Sequence, residues 1–413
     1  MGKLWFYGLS TSDYAVRLFV DNLTCPFCTK RPIFVGGLSG LCLRVPKKFG
    51  IYPVVVLRMS QAVPMELTLC DITALDYWRR ASTPSLYGLF SSSVSFVPAD
   101  MLDQAWPSRR RPLPSMAPDC DAIESLMRLG VIEDGHDVHV LVGDMDSRRR
   151  LRGVVCHLNS RPLPAGCLFP AVCRGEVIDG LSVCSPELAF LQALSRLTRA
   201  EALQLGLELC GTFRRANGEV VYGCEPITSA HAIRRFAALF DGFRNVKALR
   251  SVAKYVANGS GSPAEAAIYC SLILPARYGG SGFEMPILNH EISLNTEAAT
   301  LLGRETITPD IYWDGVAFEY DSLTFHSLQE QQEYDERRRN AYAAMGIPVV
   351  VGRPRHLRSV VRFEAITGAL RRNLDKRVYR LPSDYESKRA HLLSELFGYW
   401  MHRNEWSDPL THF

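Results

Sequence analysis

The stretch TPDIYWDGVAFEYD, residues 308–321, constrains the fold most strongly because it predicts a β-hairpin of one defined register. Asp314-Gly315 is a strong two-residue turn signal between two β-prone segments. With the turn centred there, Asp310 faces Glu319 across the hairpin. The same register pairs Trp313 with Val316, Tyr312 with Ala317, and Ile311 with Phe318.

Three carboxylates then fall on one side of the hairpin, since Asp321 follows Glu319 by two residues and points the same way. Like charges opposite each other destabilise a sheet. Two interpretations fit. Either a divalent cation such as Mg²⁺ binds the acids, or the acids face water at a sheet edge. The apolar opposite face and the VVV segment at 349–351 indicate a neighbouring buried strand and favour the first interpretation.

The chain has 413 residues, which suggests two or three domains, and its 47% apolar content is ordinary for a globular protein. A net charge of +4 neither requires nor excludes a nucleic-acid partner. The N-terminus lacks signal-peptide features, and no apolar run reaches a membrane-spanning length. We therefore expect a cytoplasmic protein with reduced thiols and no membrane partner.

The sequence predicts an α/β fold in four segments. Residues 1–120 are interpreted as an α+β module, with a winged helix as one candidate. Residues 121–260 combine a strand pair with a mainly helical region. Residues 261–375 have the element order α-β-β-β-α-β-α, which predicts a mixed sheet flanked by helices. Residues 376–413 carry a final helix.

Two further residues are candidates for chemistry, and each has a structural alternative. Glu265 is the third residue of a helix that Ser262 caps, so it either closes a capping box or serves catalysis. His326 lies five residues past Asp321. Its imidazole either forms a structural hydrogen bond or donates a proton to a leaving group.

Basic residues follow the hairpin in two groups. Arg337, Arg338 and Arg339 lie on the next predicted helix, and Arg353 and Arg355 follow the VVV strand. Such clusters either form a solvated face or contact phosphates.

The pair Cys25-Pro26-Phe27-Cys28 has the spacing of half a zinc site. Two packed thiols in a turn are the favoured explanation. The alternative is a zinc knuckle that Cys42 or Cys70 completes.

Taken together, the ordered acids of residues 261–375 resemble the PD-(D/E)XK nuclease superfamily, and in particular the very-short-patch-repair-like (Vsr-like) endonuclease domains. The lysine position of the superfamily motif holds Asp321 here. The matching positions are Glu265, Pro309-Asp310, Glu319-Tyr320-Asp321, His326, Asp335 with Arg338, and Gly346 before IPVVV.

The resemblance implies metal-dependent hydrolysis of phosphodiester bonds in DNA, in defence or repair, with Mg²⁺ or Mn²⁺ as the cofactor. It implies Asp310 and Glu319 as metal ligands, and catalytic roles for Glu265, Asp321 and His326. The five arginines named above would then grip the DNA backbone.

Residues 130–260 are similar to the middle of actinobacterial proteins that resemble AbiEi-type antitoxin regulators. This likeness implies a protein partner in a toxin–antitoxin or defence system. It also supports a second hypothesis, a non-catalytic DNA-binding regulator in which the nuclease fold is vestigial.

Overall fold

The computed structural model describes residues 66–83, 120–132, 135–164, 166–173, 176–216, 219–321, 329–375 and 381–402, with the short strands at 41–42, 56–57 and 110–111. The chain divides into two compact units, residues 1–62 and 63–413. In the first unit the described residues form one antiparallel strand pair.

The second unit contains both runs of strands and runs of helices, as expected for a mixed α/β protein. In chain order the strands are β1 Leu41–Cys42, β2 Val56–Leu57, β3 Leu67–Leu69, β4 Arg110–Arg111, β5 Val138–Val142, β6 Val154–Leu158, β7 Leu163–Pro164, β8 Leu168–Cys173, β9 Glu176–Cys184, β10 Phe213–Ala216, β11 Glu219–Tyr222, β12 Ile287–Leu288, β13 Ile292–Ser293, β14 Thr306–Ile307, β15 Ile311–Trp313, β16 Val316–Tyr320 and β17 Val349–Gly352. The helices are α1 Asp71–Ala81, α2 Cys120–Arg128, α3 Pro186–Ala193, α4 Arg199–Leu209, α5 Ala230–Leu239, α6 Val246–Ala253, α7 Pro263–Ile273, α8 Thr296–Leu302, α9 Gln329–Ala344, α10 Pro354–Leu357, α11 Val360–Asn373 and α12 Tyr385–His402.

A five-stranded mixed sheet forms the first half of the second unit, in the order β6-β5-β3-β9-β8. The pairs β5–β6 and β3–β9 are parallel, and the others are antiparallel. All five residues of β5 are buried, as expected for a strand that is covered on both faces. Helix α1 packs against β5 and α3.

The predicted hairpin is present with the predicted register: Trp313 opposes Val316, Tyr312 opposes Ala317, and Ile311 opposes Phe318. It lies inside a four-stranded sheet of order β12-β15-β16-β17. The VVV segment is β17, which pairs with β16 in parallel after the α9 crossover. Both hairpin strands therefore have a neighbour on each side, so the hairpin does not lie at a sheet edge.

One main apolar core runs through the second unit. Its buried residues include Val183 beside the first sheet, Leu207 on α4, Phe318 on β16 and Leu393 on α12. A smaller core packs α8 and α9 against the other face of the hairpin, around Ala317 and Tyr342. The predicted α/β class is confirmed. The main core contains residues on both sides of residue 260, and the domain boundary there stays a prediction.

Helix α8 lies in a stretch that the sequence analysis left without a helix. Asn295 caps it, since its side-chain oxygen accepts a hydrogen bond from the Ala298 amide at 2.8 Å. Gly303 ends it in the left-handed conformation. In the described ranges, no helix is both long and apolar enough to span a bilayer.

A buried ion cluster ties α1 to α4 and β10. Glu208 is fully buried and accepts hydrogen bonds from Arg79 Nε at 2.8 Å and from Arg215 Nη1 at 3.1 Å. Burial alone would raise the pKa of Glu208, but the two guanidinium groups outweigh it and lower the pKa to about 2. One carboxylate thus joins α1 to α4 and to the adjacent strand β10.

Replacing that charge should destabilise the protein. Glu208→Gln removes the carboxylate that the buried guanidinium groups of Arg79 and Arg215 share, so we expect a loss of about 3–5 kcal/mol in the free energy of unfolding, measured with urea at neutral pH. Because its folded pKa is depressed, the contribution of Glu208 is present above its unfolded pKa and is lost as the pH falls toward 2. Glu124→Gln is the control, since the ion pair of Glu124 with Arg128 is exposed. Equal midpoints for the two variants would contradict the assignment.

Candidate active site

Glu265 is held at the start of α7 by three hydrogen bonds. Its amide donates to Ser262 Oγ at 3.1 Å, which is one half of a capping box. Its carboxylate does not complete that box. Instead Oε2 accepts from the Gly261 amide at 2.9 Å and from Asn289 Nδ2 at 2.8 Å. A Cβ at Gly261 would lie 3.1 Å from both carboxylate oxygens, so this approach favours glycine.

Asn289 connects Glu265 to the hairpin. Its backbone amide donates to the Asp310 carbonyl at 3.0 Å, and its side-chain Nδ2 also donates to the Gly259 carbonyl at 2.8 Å. The residue has a φ of 48°, a left-handed conformation that asparagine adopts more readily than most residues. Asn289 therefore fixes Glu265 through its side chain and Asp310 through its backbone amide.

Asp310 and Glu319 have different partners. The Asp310 carboxylate accepts a hydrogen bond of 2.6 Å from the Tyr320 amide. Glu319 forms an ion pair with Arg338, and its Oε1 accepts from the Tyr342 hydroxyl at 2.6 Å. Arg338 and Tyr342 are four residues apart on α9 and so lie on one helix face.

Burial and mutual repulsion set the electrostatics of these acids. Burial, and then the negative charge of Asp310, raise the pKa values of both Glu265 and Glu319 to about 7. Arg338 opposes this shift at Glu319, and the Glu319 charge in turn raises the pKa of Arg338. Burial also raises the pKa of Asp310 against the Tyr320 amide and Arg338. The Asp310 carboxylate is thus a common source of repulsion for Glu265 and Glu319.

Asp321 has a cationic partner of its own. Its carboxylate forms an ion pair with Arg353 Nε at 3.0 Å, and its amide donates to the Gly352 carbonyl at 2.9 Å. In this conformation Arg353 is engaged with the protein, which leaves its predicted role toward DNA untested.

The remaining predicted arginines lie in different surroundings. Arg337 and Arg339 are exposed on α9, and Arg337 lies over the Tyr334 ring at 5.8 Å. Arg338 also donates to the Thr308 carbonyl at 3.0 Å. Arg355 is exposed and lines a cleft beside β17 together with Arg362, His356 and Val351.

Two predictions fall on residues outside the described ranges, His326 and the CPFC segment at 25–28. Of the thiols proposed to complete a zinc knuckle, Cys70 is a buried free cysteine whose pKa is raised well above its usual value by burial.

Asn289 and Tyr342 contact the acids, and the sequence analysis missed both. Arg338 and Tyr342 are four residues apart on a predicted helix. A contact of Arg338 with Glu319 therefore implies that Tyr342 lies near the same acid. Asn289 gave no comparable signal, since its role depends on the path of an irregular loop.

The carboxylates of this site differ from a pre-assembled three-ligand metal centre. Among the described residues, the three-residue set with all donor atoms within 4.8 Å of one another comprises Asp71, His139 and His157. Mg²⁺ needs fewer protein ligands, since it keeps several waters and binds through one or two carboxylates. Asp310 and Glu319 could supply those two.

Comparisons of the chain with protein-family models, with curated proteins and with solved structures found no match. The likeness to PD-(D/E)XK nucleases therefore stays a prediction carried by the residues themselves.

The raised pKa values predict how stability depends on pH. Above about pH 4.5 an unfolded glutamate releases its proton, whereas folded Glu265 and Glu319 keep theirs up to about pH 7. The free energy of unfolding should therefore fall across that window. Asp310→Asn removes the shared repulsion, so it should reduce the loss between about pH 5 and pH 8 by on the order of 1 kcal/mol, measured by urea unfolding.

Asp314→Asn is the matched control, because Asp314 is an exposed acid in the turn of the same hairpin. Its pH profile should follow that of the wild type. Parallel profiles for the wild type and Asp310→Asn would show that Asp310 does not set the protonation of the two glutamates.

Proposed function

We propose that this protein is a metal-dependent DNA endonuclease that hydrolyses phosphodiester bonds. The observation that supports the proposal most strongly is the grouping of Glu265 and Glu319 around Asp310, whose charge raises the pKa of both. Three acids in one partly buried place are unfavourable unless protons or a cation compensate their charge. A divalent cation would compensate the negative charge and would also act as a Lewis acid in phosphodiester hydrolysis.

In this proposal Asp310 and Glu319 hold Mg²⁺ or Mn²⁺, which would activate a water and stabilise the charge of the transition state. Glu265 would act as the general base that accepts a proton from that water. Arg338 keeps Glu319 oriented, and Tyr342 donates to the same oxygen. Asp321 orients the end of β16 through Arg353.

The DNA backbone would follow the basic residues near β17. Arg355 and Arg362 line the cleft beside this strand, and Arg337 and Arg339 are exposed on α9. His326 would donate a proton to the leaving group, a role that rests on the resemblance alone. Nine cysteines of the described part of the chain are free thiols, which suits a cytoplasmic enzyme of defence or repair.

The ion pair between Arg338 and Glu319 favours a second candidate function. Arg338 neutralises Glu319 without any metal ion, so the fold could retain these acids after metal binding is lost. The protein would then be a DNA-binding, antitoxin-like regulator with a vestigial nuclease fold and a protein partner.

Cleavage assays distinguish the two functions. Supercoiled plasmid and labelled duplexes are incubated with Mg²⁺ or Mn²⁺ and with wild type, Asp310→Asn or Glu319→Gln. We expect nicking by the wild type and at least a roughly 100-fold loss in both variants, with DNA binding retained. Asp314→Asn should cut like the wild type.

DNA binding without cleavage of any substrate would overturn the nuclease proposal and support the regulator. Cleavage that persists in Asp310→Asn would place the reaction elsewhere in the chain.

A further inference from the structure

A second group of chemically active residues lies in the five-stranded sheet, away from the acids in sequence. Asp71 begins α1 directly after β3, His139 lies in β5 and His157 in β6. The parallel register of β5 and β6 places His157 opposite Leu141, two residues beyond His139. Side chains two apart on a strand point to the same face, so both imidazoles meet the start of α1.

The three donor atoms form a small triangle. His139 Nδ1 and His157 Nε2 are 2.8 Å apart, and Asp71 Oδ2 lies 3.8 Å and 3.5 Å from them, respectively. An ion that binds nitrogen and oxygen tetrahedrally at about 2.0–2.2 Å holds its ligands roughly 3.3–3.6 Å apart. The triangle edges bracket this spacing, so small shifts would bring all three atoms onto one ion.

One short hydrogen bond links two of these atoms, and the third lies farther away. Each neutral imidazole carries one N–H, and the short contact between the two rings uses one ring proton. The two distances to Asp71 Oδ2 are at or beyond the length of a good hydrogen bond. Two of the three donor atoms therefore share one short hydrogen bond, and the third, Asp71 Oδ2, lies farther from both.

The backbone position of Asp71 is fixed by contacts on both sides of it. Its φ of 54° lies in the left-handed region, which aspartate adopts more readily than most residues. The Asp71 amide is anchored on Gln192 Oε1 at 2.9 Å, and the His139 amide donates to Thr73 Oγ1 at 2.9 Å. Both ligand-bearing segments are thus fixed by contacts outside the triangle.

The three residues differ in their charged partners and in their exposure to solvent. Arg196 pairs with the other carboxylate oxygen of Asp71, Oδ1, and so orients Oδ2 toward the imidazoles. Asp71 and His139 are buried, whereas the His157 side chain is 27% exposed. A site with three protein ligands and one side open to solvent leaves a position for water or substrate.

We propose that Asp71, His139 and His157 bind a divalent first-row transition-metal ion, with an open coordination position on the His157 side. Imidazole and carboxylate ligands suit Zn²⁺ and Fe²⁺ and distinguish this site from an oxygen-only Mg²⁺ site. The proposal does not depend on the nuclease proposal, because no residue is shared.

Metal content and optical spectroscopy test it on the full chain. The apo protein is titrated with Zn²⁺ and, in a parallel experiment, with Co²⁺, whose visible absorption reports the coordination geometry. We expect one ion per chain in this site, with a tetrahedral or five-coordinate cobalt spectrum. Asp71→Asn and His157→Gln should each lose that ion or bind it at least about 10-fold more weakly. His157→Gln tests the site with the smaller risk to folding, because His157 is the more exposed residue.

Two control variants keep other ligands apart from this site. Cys25→Ser/Cys28→Ser removes the CPFC pair, and Glu319→Gln removes a predicted nuclease ligand. Both should retain the ion and its spectrum. Stoichiometry and spectrum that are unchanged in folded His157→Gln, or that are lost in the cysteine variant, would overturn the proposal. An apo protein that binds neither ion would show that the triangle is a hydrogen-bonded cluster only.

Discussion

The repulsion among three partly buried carboxylates is the constraint on which the candidate active site depends. Asp310 lies at its centre, because its charge raises the pKa of both Glu265 and Glu319. Every nearby contact reduces the cost of burying this charge: the Tyr320 amide binds Asp310, the Gly261 amide binds Glu265, and Arg338 binds Glu319. This grouping of acids is the basis of the proposed cation site.

The architecture brings the three acids together from distant parts of the chain. The hairpin brings Asp310 close to Glu319. After the α9 crossover, β17 pairs with the edge of β16 that β15 does not use. Asn289 then joins the hairpin to the start of α7. The main core packs these elements with the helices that precede them, so Glu265 on α7 and Glu319 on β16 lie on rigid elements, and Asp310 lies directly before β15.

Local patterns predicted the hairpin well, because a two-residue Asp-Gly turn and alternating apolar residues leave one favourable register. The same logic brought Asp310 and Glu319 together and found the buried partner strand at 349–351. Long-range contacts had no such signal. The bond of Asn289 to Glu265, the pairing of Asp321 with Arg353, and the meeting of Asp71 with His139 and His157 depend on tertiary packing between segments far apart in sequence.

Titration calorimetry with Mg²⁺ tests the central claim most directly, since Mg²⁺ prefers carboxylate oxygen to imidazole. Repeating the titration near neutral pH in buffers of different ionisation enthalpy counts the protons that leave. The account predicts binding with release of on the order of one proton, because the ion displaces protons held by Glu265 and Glu319. Both signals should vanish in Asp310→Asn/Glu319→Gln. Folded wild-type protein that binds no Mg²⁺, with or without a DNA duplex, or a double variant that binds it equally well, would contradict the account.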